Sequence, residues 1–178
     1  MDQQLIVAGF GGQGVLLIGQ LLAYSGMLEG KEVSWMPAYG PEMRGGSCNC
    51  SVVISEQPVG SPKVEDATVV IAMNRPAMEK FESSLVPGGI LLVNSSLIDV
   101  EPKRTDIKII KVPVNDIAAE LGSPRVGNMV MLGAYSAAAD MFTVETLIDA
   151  LRHKLGPAKE KFIPLNRKAI EAGMACVK

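Results

Sequence analysis

The run Val7-Ala8-Gly9-Phe10-Gly11-Gly12-Gln13-Gly14 carries the residue types best suited to holding a ligand. Gly9, Gly11 and Gly14 fit the spacing GxGxxG between an apolar strand, Leu5 to Ala8, and a long apolar helix from about Val15. Glycines there allow positive φ, admit a phosphate to the backbone and let helix and strand pack closely. The N–H groups left unpaired where the helix begins favour an anion. A second polar group is Arg44, followed by Gly45 and Gly46. Its planar, five-donor guanidinium beside bare backbone suits a phosphate or carboxylate from a ligand or a neighbouring chain. The structural alternative is an Arg44–Glu42 pair that holds its own loop. Asn74-Arg75-Pro76 and Asn94-Ser95-Ser96 follow two further apolar runs, where they serve either a ligand or only turns and helix caps.

The glycines alone do not make a dinucleotide site. A ribose-binding acid is expected roughly 20 residues past them, near the end of the second strand. That strand, Lys31 to Met36, runs instead into Pro37 and Ala38, and the nearest acid, Glu42, lies in a Pro/Gly loop. The sequence therefore favours a glycine turn used for packing and for an interface over one that binds NAD(P).

No catalytic set accompanies these residues. There is no GxSxG, no lysine after the glycines in the P-loop position, and no acid cluster at metal-ligand spacing. Cys48-Asn49-Cys50 lies in an alternating stretch that reads as a strand, which puts both thiols on one side. With Cys176 they make three cysteines, short of four cluster ligands, and the single histidine, His153, leaves tetrahedral zinc poorly served. Buried, reduced thiols are expected. His153, between Arg152 and Lys154, reads as a solvated helix residue.

The elements that must position these residues alternate along 178 residues, enough for one domain over 1–178 and too short for two full ones. A helix from Val15 to Glu29 precedes the second strand, and a third covers Ser47 to Ile54. Thr68 to Met73 is apolar without interruption, as expected of a parallel strand covered on both faces. A short helix over Pro76 to Ser84 leads to strands at Ile90 to Asn94 and Ile107 to Val112. The last third is helical. Asn128 to Met141 is apolar or small on nearly all sides and should be buried. Thr143 caps Val144 to Leu155, and Pro157 opens a final helix to about Ala172. This order gives an α/β fold, a single Rossmann-like, doubly wound and mostly parallel sheet with C-terminal helices. Ligands and partners then meet the loops at the carboxyl ends of the strands.

Composition limits the partners. Net charge is −2 with both signs scattered, which points away from nucleic acid and from an anionic membrane surface. Apolar runs fall short of about 20 residues, so no membrane span is expected. No basic stretch precedes the first strand, and a cytoplasmic protein is the expectation. Charged residues are only 20% of the chain and there are ten Met, a composition that suits a broad interface with partner subunits or a Met-rich core.

Five segments in order now carry a resemblance. GFGGQG is followed by AYGPEMRGG from Ala38 to Gly46 and by Ser61-Pro62. AMNRPAMEKF from Ala72 to Phe81 and PGGILLVNSSLI from Pro87 to Ile98 complete the set. Together they resemble the gamma subunit of 2-oxoacid:ferredoxin oxidoreductases, which also occurs as one domain of single-chain pyruvate:ferredoxin enzymes. The resemblance implies thiamine diphosphate- and coenzyme A-dependent oxidative decarboxylation of a 2-oxoacid, with electrons passing through iron–sulfur clusters to ferredoxin. It implies that thiamine diphosphate and Mg²⁺ lie on thiamine-binding alpha and beta subunits. The clusters belong to a ferredoxin-like subunit, and no cofactor is bound firmly by this chain. The short chain with PAYGPEMRGG looks more like the 2-oxoglutarate or branched-chain enzymes than the pyruvate ones, with 2-oxoglutarate favoured. The indolepyruvate type usually departs from this pattern.

The site expected on that basis has no catalytic residue. Gly9, Gly11, Gly12, Gln13, Gly14, Arg44, Asn74 and Asn94 face a cofactor phosphate, coenzyme A being the one implied. Tyr39, Pro41, Glu42, Met43, Arg44 and Gly45 face the thiamine-bearing subunits. An isolated chain with such a surface is expected to pair with itself as a homodimer. Two readings from other classes stay open: a free-standing Rossmann-type oxidoreductase, marked by NAD(P) binding to the isolated chain, and a nucleotide-binding regulatory module without thiamine-containing partners.

Overall fold

The computed structural model describes residues 2–38 and 46–177. Strand β1 (Gln3–Phe10) enters helix α1 (Val15–Leu28), followed by β2 (Glu32–Ala38) and β3 (Ser47–Ser55). Next come β4 (Ala67–Ala72), α2 (Arg75–Phe81), β5 (Leu85–Asn94) and β6 (Lys108–Val112). Four helices close the chain: α3 (Val114–Glu120), α4 (Gly127–Ala139), α5 (Val144–Leu155) and α6 (Ile163–Ala175).

The sheet order is β2-β3-β1-β4-β5-β6. β1 pairs in parallel with β4, β4 with β5, and β5 with β6, whereas β3 is antiparallel to both β1 and β2. β2 thus runs in the same direction as β1, and its carboxyl end reaches the same sheet edge. The reversal at β3 follows from chain length, because the short segment between Ala38 and Ser47 cannot make the crossover that a parallel neighbour needs. Pro37, which has no N–H to donate, sits on the edge strand β2.

Side-chain alternation divides the core. Leu5, Val7, Val52, Ile54, Val69, Ile71 and Leu92 face the layer of α1, α4, α5 and α6. Their neighbours Ile6, Ala8, Val53, Val70, Ala72, Leu91 and Val93 face α2 and loop residues such as Val64 and Ile98. The period of two in a strand and burial on both faces explain why β4 is apolar at nearly every position. One cover is built from α1, α3, α4, α5 and α6, the other from a single short helix with loops.

Helix α4 is buried from Gly127 through Ser136, as its all-round apolar sequence requires. It lies close against α6, since a Cβ on Gly133 would fall 2.0 Å from the Ile170 carbonyl oxygen. The sequence misses α3, a seven-residue helix behind Pro113 with no side-chain cap. It also reads one helix from Pro157 where there are two pieces. Pro157–Phe162 is a 3₁₀ turn, and α6 begins at Ile163 with Pro164 in its first turn, where a missing N–H costs nothing.

Candidate functional site

At the carboxyl edge of the sheet, β1 ends in a turn with Gly12 at φ 93° and Gly14 at φ 75°. Both lie in the left-handed region where a Cβ is disfavoured. Gly9 serves close packing, because a Cβ there would stand 2.6 Å from Gln13 Oε1 and 2.9 Å from Met73 Cβ.

Gln13 folds back over the strand ends. Its Oε1 accepts from the Phe10 N–H at 2.7 Å and from Asn74 Nδ2 at 3.1 Å, and its Nε2 donates to the Met73 carbonyl at 3.1 Å. Asn74 Oδ1 caps α2 by accepting from the Ala77 N–H at 2.9 Å. Asn94 Nδ2 donates to the Met73 carbonyl at 3.1 Å and to Asn115 Oδ1 at 2.8 Å, while Asn94 Oδ1 accepts from the Ser96 N–H at 3.2 Å. These carboxamides form one network across the ends of β1, β4 and β5 and the start of α3. Asn74 and Asn94 are buried, and their polar groups are engaged in turn, cap and cross-strand bonds.

The second expected group meets the first at its border. The Gly11 N–H donates to the Gly46 carbonyl at 3.0 Å, and Phe10 pairs with Ser47 across β1 and β3. The segment that joins β2 to β3 therefore ends against the glycine turn. Tyr39, Pro41, Glu42, Met43, Arg44 and Gly45 lie outside the described residues, and so does the Arg44–Glu42 alternative.

On the other side of the turn a cleft of about 240 Å³ opens toward α4. Gly12, Gly14, Asn115, Arg125 and Asn128 are among its lining residues, and among the described residues no acidic one lines it. Asn115, Arg125 and Asn128 are absent from the sequence-derived set because the fold brings them from α3 and the start of α4, more than a hundred residues from the turn. Gly127 and Asn128 are the first residues of α4 itself, which follows Val126 without a side-chain cap, so no capping signal marks them in the sequence.

Of the thiols and the histidine, Cys48 borders this edge, paired with Gly9 across β1 and β3 and lining a small hollow with Gly9 and Asn74. Cys48 and Cys50 are free and buried among the α1 side of the core, and burial pushes the Cys50 thiol up to about 12. Among the described residues no group of three or more His, Cys, Asp or Glu comes together to hold a metal ion. His153 is exposed and stacks on Tyr24, with ring centroids 4.4 Å apart. No helix is long and apolar enough to cross a membrane among the described residues.

A glycine turn on an α/β edge serves many functions, and comparison with known proteins separates them. Residues 4–176 match the family described as Pyruvate ferredoxin/flavodoxin oxidoreductase. This chain belongs to that family. Among its relatives is the ketoisovalerate oxidoreductase subunit VorA of Methanothermobacter marburgensis, 42% identical over 168 residues. The match takes in 94% of this chain but 35% of VorA, so the chain spans about a third of that relative. The 2-oxoglutarate synthase subunit KorC of Methanocaldococcus jannaschii is 33% identical over 154 residues, which are 85% of this chain and 82% of KorC.

Solved structures of the oxidoreductase family share the fold. The gamma subunit of a keto/oxoacid ferredoxin oxidoreductase from Geobacter sulfurreducens is 29% identical with a TM-score of 0.83, covering 98% of both chains. The 2-oxoglutarate:ferredoxin oxidoreductase of Magnetococcus marinus, solved with 2-oxoglutarate, coenzyme A and succinyl-CoA bound, is 28% identical with a TM-score of 0.89. That match covers 99% of this chain and 31% of the larger one. The six-stranded, mostly parallel sheet with C-terminal helices is thus the fold of the gamma subunits.

Proposed function

We propose that this chain is the gamma subunit of a multi-subunit 2-oxoacid:ferredoxin oxidoreductase. The complex decarboxylates a 2-oxoacid oxidatively on thiamine diphosphate, passes the acyl group to coenzyme A and reduces ferredoxin. The observation that carries this reading is the nearly end-to-end match, in sequence and in fold, to free-standing subunits named for such enzymes. In this reading the thiamine diphosphate, Mg²⁺ and clusters are held by the alpha, beta and ferredoxin-like partners, and the complex is cytoplasmic. The chain contributes an edge, Gly9 to Gly14 held by Gln13 and Asn74, that Gly46 adjoins at the end of the β2–β3 connection. That edge faces the thiamine-bearing subunits and the approach of coenzyme A. Phe10 and Leu97, large apolar side chains left exposed at this edge, support its use as an interface. The same exposure supports self-association when the partners are missing.

2-Oxoglutarate is the favoured substrate, supported by the KorC relatives that the chain covers almost whole. The higher identity to VorA favours a branched-chain 2-oxoacid as a second reading. Anaerobic purification from the native cell tests both. Co-elution with thiamine- and cluster-bearing subunits, and coenzyme A-dependent dye reduction with oxoglutarate exceeding that with oxoisovalerate, is the expected result. The reverse preference establishes the branched-chain reading. A lone chain carrying a nucleotide overturns the assignment.

A further inference from the structure

A groove of about 600 Å³ is framed by the 3₁₀ turn Pro124–Val126, the end of α5, the turn Pro157–Phe162 and the start of α6. Val126, Leu155, Phe162 and Leu165 give it an apolar lining, which Arg125 and Lys159 share. Phe162 is 45% exposed, a large ring that the fold leaves to solvent. The volume falls within the ~300–1,000 Å³ typical of sites that take up a ligand.

The cations of this region outnumber their counter-charges. The chain has a net charge of −2, yet between Ala150 and Ile170 it sets Arg152, Lys154, Lys159, Lys161, Arg167 and Lys168 against one acid, Glu160. Glu160 is paired with Arg152, and Arg167 is paired with Glu145. Arg125, Lys159 and Lys161 join no ion pair among the described residues. Lys161 Nζ lies 5.3 Å from the centroid of the Phe162 ring, which brings a third cation to the groove. Among the described residues no acid lines it. Cations gathered about apolar surface repel one another, and docked carboxylates relieve that repulsion.

We propose that this groove docks an acidic, amphipathic segment of a partner polypeptide. Its apolar side chains seat against Leu155, Phe162 and Leu165, and its carboxylates pair with Arg125, Lys159 and Lys161. Three separate cations call for carboxylates spread along a chain, more than a small apolar anion carries. A second copy of this chain is a poor occupant, because a two-fold contact would set the same cations against one another. A bilayer is a poor one too, since membrane binding needs apolar side chains that protrude, and here they line a hollow. The groove belongs to this chain alone, so the proposal stands or falls apart from assembly with thiamine-bearing partners.

Fluorescence anisotropy on the full chain tests it, with a labelled amphipathic peptide of Glu, Leu and Phe as probe and its Gln-for-Glu form as control. Saturable binding is expected, with a dissociation constant of about 100 µM or below, and the control should bind at least about tenfold more weakly. Lys159 is exposed, so Lys159→Glu should keep the melting temperature. It should weaken binding about tenfold and bind a Lys-for-Glu peptide more tightly than the wild type does. Phe162→Ala should weaken the Glu peptide without reversing the charge preference. No anisotropy change up to about 1 mM, equal affinity for the Gln form, or wild-type affinity in Lys159→Glu overturns the proposal. Two other results overturn it by naming another occupant. Co-sedimentation with phosphatidylserine vesicles that Lys159→Glu abolishes would assign the groove to a membrane surface. Self-association lost in Lys159→Glu on analytical ultracentrifugation would assign it to a second copy.

Discussion

Asn74 donates its carboxamide N–H to Gln13 Oε1 across 3.1 Å and so ties the turn after β4 to the turn after β1. Each partner is also fixed from behind, Gln13 by the Phe10 N–H and the Met73 carbonyl, and Asn74 by the first turn of α2. The parallel strands set these two turns side by side, and the carboxamides fix their relative position to hydrogen-bond precision. The polar residues at this edge thereby shape the backbone surface that a partner or ligand meets.

Replacement of Gln13 by Ala removes three hydrogen bonds and leaves the Met73 carbonyl with the Asn94 amide as its side-chain partner. A loss of about 1–3 kcal/mol is expected, since the groups left behind are partly buried. For a chain of this size that lowers Tm by roughly 2–4 °C per kcal/mol. Urea unfolding followed by circular dichroism checks it, and an unchanged midpoint would mean that water replaces the carboxamide without cost.

The α4–α6 contact is the tightest helix pairing in the structure's helical layer. A Cβ on Gly133 would lie 2.0 Å from the Ile170 carbonyl oxygen, and one on Gly173 would lie 1.8 Å from the Val130 carbonyl oxygen. Backbone cannot yield as a flexible side chain does, so Gly133→Ala and Gly173→Ala should each cost about 3 kcal/mol or more by forcing the helices apart. Gly60→Ala is the control: its Cβ meets open space, φ is not in the left-handed region, and the change should be neutral or slightly stabilising. Differential scanning calorimetry of the three variants reads the contrast directly.

What the sequence makes legible depends on how local its physical cause is. The β1 turn, the burial of α4 and the Thr143 cap are written in adjacent residues, and Thr143 Oγ1 does accept from the Thr146 N–H at 3.2 Å. The antiparallel direction of β3 goes beyond the mostly parallel sheet expected from the order of elements, and its cause is the short connection before it, because a parallel neighbour needs a long crossover. The internal use of Gln13, Asn74 and Asn94 was not legible, since it requires three turns to be set at one edge in register. Asn128 and Arg125 escaped for the same reason, being brought to the glycine turn only by the packing of α4. The absence of a ribose-binding acid gains a structural cause as well: β3 takes the place beside β1, and β2 is displaced to the sheet's edge.

Alkaline pH should destabilise the chain through Cys50. Burial raises its thiol from 9.0 to about 12 in the folded protein, and Cys48 shifts in the same direction. The unfolded chain therefore releases the proton first. The stability tied to this thiol is fully present below about pH 9 and is lost as pH rises toward about 12, at up to about 1.4 kcal/mol per pH unit. The Tyr135 phenol, also raised by burial, adds its own loss only above about pH 10. Unfolding free energies at intervals from pH 7 to 10 should fall more steeply above pH 9 in the wild type than in Cys50→Ala. Parallel curves would show that Cys50 ionises as readily in the folded chain as in the unfolded one.

The Gly11–Gly46 hydrogen bond at 3.0 Å brings the end of the segment that contains Arg44 in sequence against the glycine turn. Gly46, two residues after Arg44 in the sequence, is bonded to the turn that Gln13 locks. A salt link from Arg44 to a partner carboxylate or to a coenzyme A phosphate predicts two separable outcomes for Arg44→Ala. Loss of the first weakens assembly, seen as subunit dissociation on gel filtration in moderate salt, where screening shortens the reach of exposed charges. Loss of the second leaves the complex intact and raises the KM for coenzyme A, by about tenfold for a charge-assisted pair, with kcat little changed. Arg44→Lys should restore less than half of either effect in free-energy terms, because a point charge cannot reproduce the planar fork. An Arg44→Ala complex with unaltered stability and unaltered coenzyme A kinetics would return Arg44 to holding its own loop beside Glu42.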